Sequence, residues 1–574
     1  MDFEKCAQFY SRSIVEYPEH NVRAMLCSTV RHRAENSFPR VHDLMMLLKQ
    51  LSNLEVLIIM AHTKRLMVFI VTLVVTVSMA QAQHDPQRNA TQAIAVGEIA
   101  KAQQEVAQGD ADDSETHFVR TMIALQQGDP AGAVEAARHA LDTGLPFDRL
   151  LAGPRELLSQ LWNTQEFQEW SAEYQDMALL HGPMLGQVTD HGASFWVRTR
   201  SEAEVAIKIG HDVSESTITS RTQDFTAVIT VEGLSPQTHY DYQVLVDGRP
   251  QPVENPCFTT YPKQGEAASF AVVFGGGAAF NPKWEYMWDT MRDTDPLALL
   301  MLGDNVYIDQ PQVVLCQQYC YYRRQSRPEW RRLVSGTATY SIYDDHDFGT
   351  NDCAGGPETD TPAWKRLSWK TFRQNWINPV YGGGESQPGC WFDFYIGDVH
   401  FILLDGRYYR DPHRGSMLGA VQKEWLKETL LASQGTFKVL ASPVPWSVGI
   451  KPGSRDTWDG FPEEREDIFS FIEAERIDGV FLIAADRHRT DLRKTEREHG
   501  YDLLELESSR LTNNHTHSLV ESPGWIWGYN ETCSFARMQF DTTADVPHVR
   551  FECISIDGKV IHQHVLNIDD IQHP

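Results

Sequence analysis

The sequence predicts an α/β protein in which a helical segment and a small β-sandwich precede a large strand-and-helix region. From Ala268 onward, short apolar runs that end in polar clusters alternate with helical stretches. This alternation is typical of an α/β sheet that is covered on both faces. Before it, stretches such as "SFWVRT" alternate with period two, as strands do. At 574 residues the chain is long enough for roughly two to four domains.

The composition is that of a globular protein with a strong acidic excess. Lys and Arg number 51 and Asp and Glu number 78, so the formal net charge is −27. Nucleic acid and anionic membrane are excluded as main partners, because both are polyanions that an acidic surface repels. The same excess suits a protein that holds cations.

A signal peptide is predicted at residues 60–82, within "MAHTKRLMVFIVTLVVTVSMAQAQ". A basic start, an apolar run of about a dozen residues and small residues at Ala80 and Ala82 are its three parts. A membrane anchor would need about 20 apolar residues. We therefore expect export to the periplasm or the extracellular space, with no stable membrane anchor after cleavage.

Residues 1–59 precede this segment and are expected to be a spurious extension, with the true start at Met60. The alternative is a genuine cytoplasmic region ahead of an internal signal anchor. Seven cysteines follow the expected cleavage point, and structural disulfides are the favoured prediction for an exported protein. These cysteines are Cys257, Cys316, Cys320, Cys353, Cys390, Cys533 and Cys553.

Two modules are predicted before the large α/β region. Residues 90–178 have helical periodicity, with "GDP" and "GLP" as punctuation, and resemble a tetratricopeptide-like pair. Residues 181–262 alternate with period two, and "LSPQTHY" has the Leu-x-Pro-x-Thr-x-Tyr spacing of fibronectin-like sandwiches. Neither module shows side chains that predict chemistry.

Carboxylate, imidazole and phenol side chains follow three apolar runs of the α/β region. Asp304 and Tyr307 follow "LLML", Asp345 and His346 lie in "YDDHDF", and Asp486 and His488 lie in "AADRH". Open α/β sheets place their sites at the carboxyl ends of strands, so these groups are expected to converge. Each block alone also fits a polar turn or a hydrogen-bonded surface histidine.

Oxygen and nitrogen ligands without thiolate suit Fe, Mn, Ca or Zn. Two such ions about 4 Å apart can clamp the attacking and leaving oxygens of a phosphoryl transfer. The sequence therefore predicts a site for two or more divalent or trivalent cations.

Five ordered blocks resemble the alkaline phosphatase D (PhoD-like) branch of the calcineurin-like metallophosphoesterases. The resemblance covers about residues 181–565, and implies a two-sheet metallophosphoesterase sandwich flanked by helices at 268–565 behind a PhoD-type β-sandwich. The blocks are "GDNVYID", "IYDDHDFGTND", "LLDGRYYRDP", "LGAVQKEWLKETLLAS" and "ADRH".

The resemblance also implies roles for particular residues. Asp304 resembles a bridging metal ligand, Tyr307 a phenolate ligand to ferric iron, and Asp345, Asp486 and His488 further metal ligands. His346 would donate to the phosphate or leaving-group oxygen. Arg407 is a candidate phosphate contact, because its planar donors fit phosphate oxygens. An ion pair between Arg407 and Asp405 is the alternative.

One block departs from the family pattern: Gly277, in "FGGGAA", stands where a cysteine usually binds iron. The metal pair therefore could differ from the iron and calcium that the resemblance implies, with Mn or Zn as alternatives. The expected function is an exported metal-dependent phosphohydrolase of small or polymeric phosphomonoesters or phosphodiesters, acting through metal-bound hydroxide. The alternatives are a catalytically impaired scaffold that acts as a binding protein, and a phospholipase D-like phosphodiesterase.

Overall fold

The computed structural model describes residues 85–574. The predicted signal peptide at 60–82 and the predicted extension at 1–59 lie outside the described residues. Helices and mixed sheets confirm the predicted α/β fold class. Among residues 85–574, no helix combines the length and apolarity needed to cross a bilayer.

Helices form the first part of the described chain. The first of them begins after Asp85, whose side chain accepts from the Arg88 backbone N–H, and Pro86 occupies its first turn. The helix at 130–142 buries Val134, Ala137 and Ala140 on one face. The helices in order are Pro86–Ala95, Ile99–Val106, Ser114–Gln126, Pro130–Asp142, Phe147–Ala152, Arg155–Trp162 and Gln165–Ala172.

A small two-sheet sandwich follows. Strands β1, β2 and β6 form one sheet, while β3 and β7 carry the short strands β4, β5, β8 and β9 in the other. Phe195 from the first sheet contacts the rings of Tyr242 and Phe258 from the second at 4.7 and 5.6 Å between centroids. The Tyr240 hydroxyl accepts a hydrogen bond from the Ser235 N–H at 2.9 Å, which closes a corner within the "LSPQTHY" segment. The strands are β1 Leu179–Gly186, β2 Gly192–Thr199, β3 Glu204–Ile209, β4 Asp212–Val213, β5 Thr217–Ile218, β6 Thr226–Glu232, β7 His239–Val246, β8 Arg249–Pro250 and β9 Cys257–Thr259.

Two larger sheets form the remainder of the chain. The first has the strand order β12-β11-β10-β20-β21-β22 and the second β13-β14-β15-β16-β18-β17-β19. Neighbours β10, β11 and β12 run parallel, as do β14, β15, β16 and β18. The strands are β10 Ser269–Gly275, β11 Ala298–Leu302, β12 Ala338–Ile342, β13 Phe392–Ile396, β14 Val399–Leu403, β15 Phe437–Ala441, β16 Val480–Ala484, β17 Thr490–Thr495, β18 Leu503–Ser508, β19 Trp525–Tyr529, β20 Ser534–Asp541, β21 His548–Ser555 and β22 Val560–Asn567.

The two large sheets pack face to face. Phe540 of β20 contacts the rings of Phe401, Phe437 and Phe481 from the other sheet, at 5.8, 5.9 and 6.4 Å between centroids. The strand ends that carry Asp304, Asp345 and Asp486 therefore belong to both layers. The helices of this region are Met287–Arg292, Val314–Gln325, Pro328–Val334, Asp345–Phe348, Trp364–Asn375, Gly419–Ala432 and Pro462–Ala474.

Buried Arg198 of β2 joins the small sandwich to helices of the α/β region. Its guanidinium donates to Asp224 at 2.9 Å and to the Asn375 side chain at 2.8 Å, and lies 2.7 Å from Nδ1 of His181. His181 Nε2 lies 2.8 Å from Ser326 Oγ, after the helix at 314–325. Because these polar groups are satisfied by one another, the interface can be buried without orphaned charge.

The prediction of structural disulfides is wrong for the described residues. All seven cysteines that follow the expected cleavage point are free thiols. Cys316 and Cys320 lie four residues apart in the helix Val314–Gln325, and both are buried. Cys316 and Cys320 act as small apolar side chains in a core that is large enough to be stable without disulfides.

Candidate functional site

The site begins where β11 ends and the chain turns at Gly303. Gly303 has φ +104°, and a Cβ there would lie 2.5 Å from the Cβ of Asp344. Only glycine allows the ends of β11 and β12 to approach this closely. The next residue, Asp304, is 2% exposed and has a left-handed φ of +52°. The tight turn thus aims a buried carboxylate toward the neighbouring strand ends.

Tyr307 connects Asp304 to the other large sheet. Its hydroxyl donates to Asp304 Oδ2 at 3.0 Å and lies 2.9 Å from His488 Nε2, after β16. His488 Nε2 lies 3.7 Å from Asp304 Oδ2. The Asn513 side chain donates to the same phenol oxygen at 2.8 Å. Three of the predicted metal ligands therefore meet at one point between the sheets.

A second set shares Asp304. Ligand atoms of Asp304, Asp345 and His346 all lie within 4.8 Å of one another, and all three residues are buried. Asp486 acts electrostatically on both Asp304 and His488 but is not within this 4.8 Å group. The structure thus brings the Asp304, Asp345, His346 and His488 blocks together, with Asp486 beside them.

The run "DDHD" enters one helical turn, Asp345–Phe348, with Asp344 as its N-cap. The carboxylate of Asp347 accepts from the backbone N–H groups of Asn305, Val306 and Asp344 at 2.8 to 3.2 Å. It therefore caps the turn and fixes the Asp304 loop. Within the run, Asp345 and His346 place ligand atoms within 4.8 Å of one in Asp304.

Burial and mutual repulsion shift the titration of the carboxylates. Burial raises the pKa of Asp304 to about 8, and the charges of Asp345 and Asp486 add to the rise. Burial opposes ionisation of Asp345 as well, but Arg407 and His346 hold its pKa at about 2. Carboxylates this close repel one another unless a cation offsets their charge.

The two histidines of the site differ in charge. The carboxylates of Asp345, Asp304 and Asp309 raise the pKa of His346 well above its ordinary value, against the opposing effect of burial. Burial lowers the pKa of His488 to about 3. The surrounding carboxylates therefore favour the protonated form of His346, whereas burial favours the neutral form of His488, whose lone pair can bind a cation.

The residues present fit metal ions. Four buried atoms at this rim have no hydrogen-bond partner among the described residues: Asp304 Oδ1, Asp344 Oδ2, Asp486 Oδ2 and His488 Nδ1. Buried polar atoms in native proteins are almost always satisfied, so an orphaned group at one rim indicates an additional ligand. Three carboxylates and one imidazole are donors that bind hard or borderline cations.

Comparison with known proteins supports this interpretation. The profile of the PhoD-like phosphatase family matches residues 270–517, and that of a domain of unknown function (DUF7800) matches residues 176–261. Residues 270–517 are a PhoD-like phosphatase domain. Alkaline phosphatase D of Bacillus subtilis is 31% identical over 111 residues, which are 15% of this chain and 19% of that protein. Purple acid phosphatase 23 of Arabidopsis thaliana is 23% identical over 275 residues, 44% of this chain and 55% of that protein.

Solved structures show the same fold. A structure of PhoD superposes with a TM-score of 0.57 at 14% identity, covering 68% of this chain and 88% of that one. The purple acid phosphatase PPD1 from yellow lupin (Lupinus luteus) seeds gives 0.51 at 12% identity, covering 68% and 75%. Both confirm the predicted metallophosphoesterase fold. The chain matches only about a fifth to half of the length of the two curated relatives.

In this PhoD-like domain, the guanidinium of Arg407 is buried among acidic side chains. It donates to Asp344 at 2.5 Å, to Asp456 at 2.7 Å and to the Cys353 carbonyl at 3.1 Å. Asp405 accepts from the backbone N–H of Arg407, so the predicted ion pair with Asp405 is also replaced. The arrangement supports a positioning role for Arg407 rather than a phosphate contact.

Gly277 of the PhoD-like domain lies beside His488. A Cβ at this position, where φ is +68°, would lie 3.2 Å from His488 Cδ2 and 3.0 Å from the Arg510 backbone nitrogen. The departure from the family pattern therefore lies beside His488, one of the candidate metal ligands.

Sequence reasoning misses three side chains of the site. Asp309 accepts from His346 Nδ1 at 2.5 Å, and its position two residues after Tyr307 is the available signal. His515 and His517, in "NNHTH", place ligand atoms within 4.8 Å of one in His488. Burial lowers their pKa values to about 4 and about 2, so both are neutral donors. Asn513 also contacts Tyr307, while Asn514 is exposed and accepts from Trp284.

Proposed function

We propose that this protein is a metal-dependent phosphoesterase that hydrolyses phosphate esters at the rim formed by Asp304, Tyr307, Asp345, His346 and His488. The observation that supports it is the convergence of these side chains from the ends of β11, β12 and β16 in one buried cluster. The match to the PhoD-like phosphatase family agrees with this assignment. Burying these charged groups together costs folding free energy, so a catalytic role is the best explanation for the cluster.

The residues divide into cation ligands and a proton donor. Asp304, Tyr307, Asp345, Asp486 and His488 would hold two or more cations, with His515 and His517 as additional donors beside His488. When bound, the cations would offset the charge of the phosphate and activate water for attack. The phenol proton of Tyr307, which is shared with Asp304, must leave if Tyr307 is to bind as phenolate.

His346 would protonate the departing oxygen. Asp309 accepts from its Nδ1 at 2.5 Å and fixes the ring. The other ring nitrogen is then available for the reacting group. Asp344 and Asp456 hold Arg407, which in turn lies 3.7 Å from Asp345 and keeps that carboxylate ionised.

The identity of the metals, export, the module boundaries and the class of ester belong to the same proposal. Iron and calcium follow from the family resemblance, and Zn or Mn are the alternatives: the imidazoles near Gly277 suit Zn, and the carboxylates suit Mn. Export, the module boundaries at 90–178, 181–262 and 268–565, and action on phosphomonoesters or phosphodiesters are proposed on the sequence features that predict them.

Metal analysis combined with turnover tests the proposal. The full-length protein is purified and its metals are measured by elemental analysis. Hydrolysis of p-nitrophenyl phosphate is then compared with that of bis(p-nitrophenyl) phosphate. Asp304→Ala should lose at least one metal equivalent and 10²-fold or more of the activity, on the order expected for a metal ligand. Asp176→Ala, at a side chain that is 89% exposed, is the matched control and should behave as wild type.

The outcomes separate the candidate functions. Metal-free protein without turnover on either ester contradicts the proposal. Bound metal without turnover supports the binding-protein alternative, and turnover of the diester alone supports a phospholipase D-like phosphodiesterase.

A further inference from the structure

The first helix, Pro86–Ala95, lies against the loop that carries Tyr307. Arg88 Nη1 donates to Asp309 Oδ2 at 2.6 Å and to the Tyr307 carbonyl at 3.2 Å. The side chain of Arg88 is only 8% exposed, so this is a buried contact and not a surface ion pair. Residues 85–95 lie outside both matched regions, 176–261 and 270–517.

Asp309 connects this arginine to His346. One oxygen of the carboxylate accepts from Arg88, and the other lies 2.5 Å from His346 Nδ1. Both oxygens are therefore fixed by different partners, and rotation of the carboxylate would break one of the two contacts. Charge-assisted hydrogen bonds of this kind are shorter and stronger than neutral ones.

The backbone holds the same unit together. The N–H groups of Ile308 and Asp309 both donate to the His346 carbonyl, at 2.9 and 3.2 Å. The rings of Tyr307 and His346 lie 4.4 Å apart between centroids. A shift of residues 307–309 would therefore move the imidazole of His346 as well.

The helix itself is anchored at its start. Asp85 pairs with Arg323 of the helix Val314–Gln325 at 2.6 Å and accepts from the Arg88 N–H at 2.9 Å. Gln87 donates to Asp113 and Thr116, each at 2.8 Å, within the helical segment. Arg88 is thus presented to Asp309 from a rigid support, as positioning groups require.

We propose that the N-terminal helical segment is a component of the active site: Arg88 positions His346 through Asp309. The inference rests on the proposed function, in which His346 donates a proton to the leaving group. Partners of this kind fix the orientation of a functional histidine, and their removal commonly costs about 10- to 100-fold in activity.

Leaving-group dependence distinguishes this role from a purely structural one. A general acid matters most when the leaving oxygen is strongly basic. Arg88→Ala should therefore lower kcat for phenyl phosphate by about 10- to 100-fold. For 2,4-dinitrophenyl phosphate, whose leaving group needs little protonation, the loss should be less than about threefold. KM and metal content should stay at wild-type values.

Four further variants complete the design. Asp309→Asn should show the same selective loss, and the double variant should be no worse than the poorer single variant, because the two residues act in one chain. Arg88→Lys keeps the positive charge but not the planar guanidinium with its paired N–H donors. It should recover part of the rate that Arg88→Ala loses. Lys101→Ala, on the next helix with a side chain that is 60% exposed, should match wild type.

An equal loss on both substrates together with a lower melting temperature would assign Arg88 a structural role and overturn the inference. Wild-type kinetics in Arg88→Ala would overturn it as well. A crystal structure of Arg88→Ala gives a readout that does not depend on turnover. The imidazole of His346 should leave its position against Asp309 or become disordered, and an unmoved ring contradicts the inference. If wild type itself hydrolyses neither ester, the proposed function fails, and the crystal structure still decides the positioning role.

Discussion

The hydroxyl of Tyr307 lies 2.9 Å from Nε2 of His488, although 181 positions separate the two residues in the chain. Tyr307 follows β11 of one large sheet, and His488 follows β16 of the other. The face-to-face packing of the sheets is therefore what assembles the site. Asp304 and Asn513 contact the same phenol, so Tyr307 lies at the centre of the cluster.

Metal binding should depend on His515 and His517. Replacing both with alanine removes two nitrogen donors that lie beside His488, so the affinity for a divalent transition metal should fall about 10- to 100-fold. Equilibrium competition with a chromogenic chelator measures the change. His211→Ala removes an exposed histidine of the small sandwich and should leave the affinity unchanged. An unchanged affinity in the double variant would show that these imidazoles do not contact the metal.

Gly277→Ala should weaken metal binding as well as stability. The left-handed backbone costs about 1–2 kcal/mol for any side chain, and the new methyl group would press on His488 Cδ2 at 3.2 Å. Gly415→Ala is a matched control, because Gly415 has φ +64° and no atom within 4 Å of the place that its new methyl group would take. Thermal unfolding should show a larger loss for Gly277→Ala, because its methyl group also crowds His488 and the Arg510 backbone nitrogen, and only Gly277→Ala should lower the metal content. Equal metal contents would mean that His488 tolerates the methyl group.

Arg407→Ala should act on stability more than on phosphate binding. Removing the guanidinium leaves Asp344 buried without its partner, whereas Asp456 keeps Arg410 and Lys451. Breaking the buried pair with Asp344 should cost about 3–5 kcal/mol. Denaturant unfolding measures this loss. The inhibition constant of inorganic phosphate should change less than threefold in the folded fraction, with Arg414→Ala, at an exposed side chain, as control. A stable variant with much weaker phosphate inhibition would instead restore the phosphate contact that the sequence predicts.

His181 should make stability depend on pH in the acidic range. Burial and the charge of Arg198 hold its pKa well below the ordinary 6.5, so the imidazole is neutral in the folded protein. Below pH 6.5 the unfolded chain binds a proton that the folded chain does not, and the stabilisation present above pH 6.5 is lost as the pH falls. The slope is at most about 1.4 kcal/mol per pH unit.

Unfolding midpoints of wild type and His181→Gln between pH 5 and pH 7.5 test this effect. Glutamine keeps polar contacts to Arg198 and Ser326 but does not titrate, so the variant should lose less stability on acidification than wild type. Parallel curves for the two proteins would show that another group is responsible.

The sequence predicts the residues on strand ends better than those on loops. Asp304, Asp345 and His488 follow apolar runs, and their convergence is a consequence of strand direction in an α/β sheet. Asp309, His515 and His517 lie in irregular segments, where no periodicity indicates which way a side chain points. Their roles depend on contacts between distant parts of the chain.

The partners of buried charged side chains also cannot be predicted from the sequence. The sequence places Arg407 correctly after a strand, but its partners Asp344 and Asp456 lie 63 and 49 positions away. Asp347 resembles a further ligand candidate within an acidic run, whereas its oxygens are occupied by three backbone N–H groups. Local composition cannot distinguish a carboxylate that caps a turn from one that binds a cation.

Anomalous diffraction from crystals of the full-length protein grown with manganese tests the central claim most directly. We predict anomalous peaks within coordination distance of Asp304, bounded by Tyr307, Asp345 and His488, and their loss in crystals of Asp304→Ala. Peaks found only elsewhere on the surface, or none in wild type, would contradict the claim that these strand ends form a metal centre.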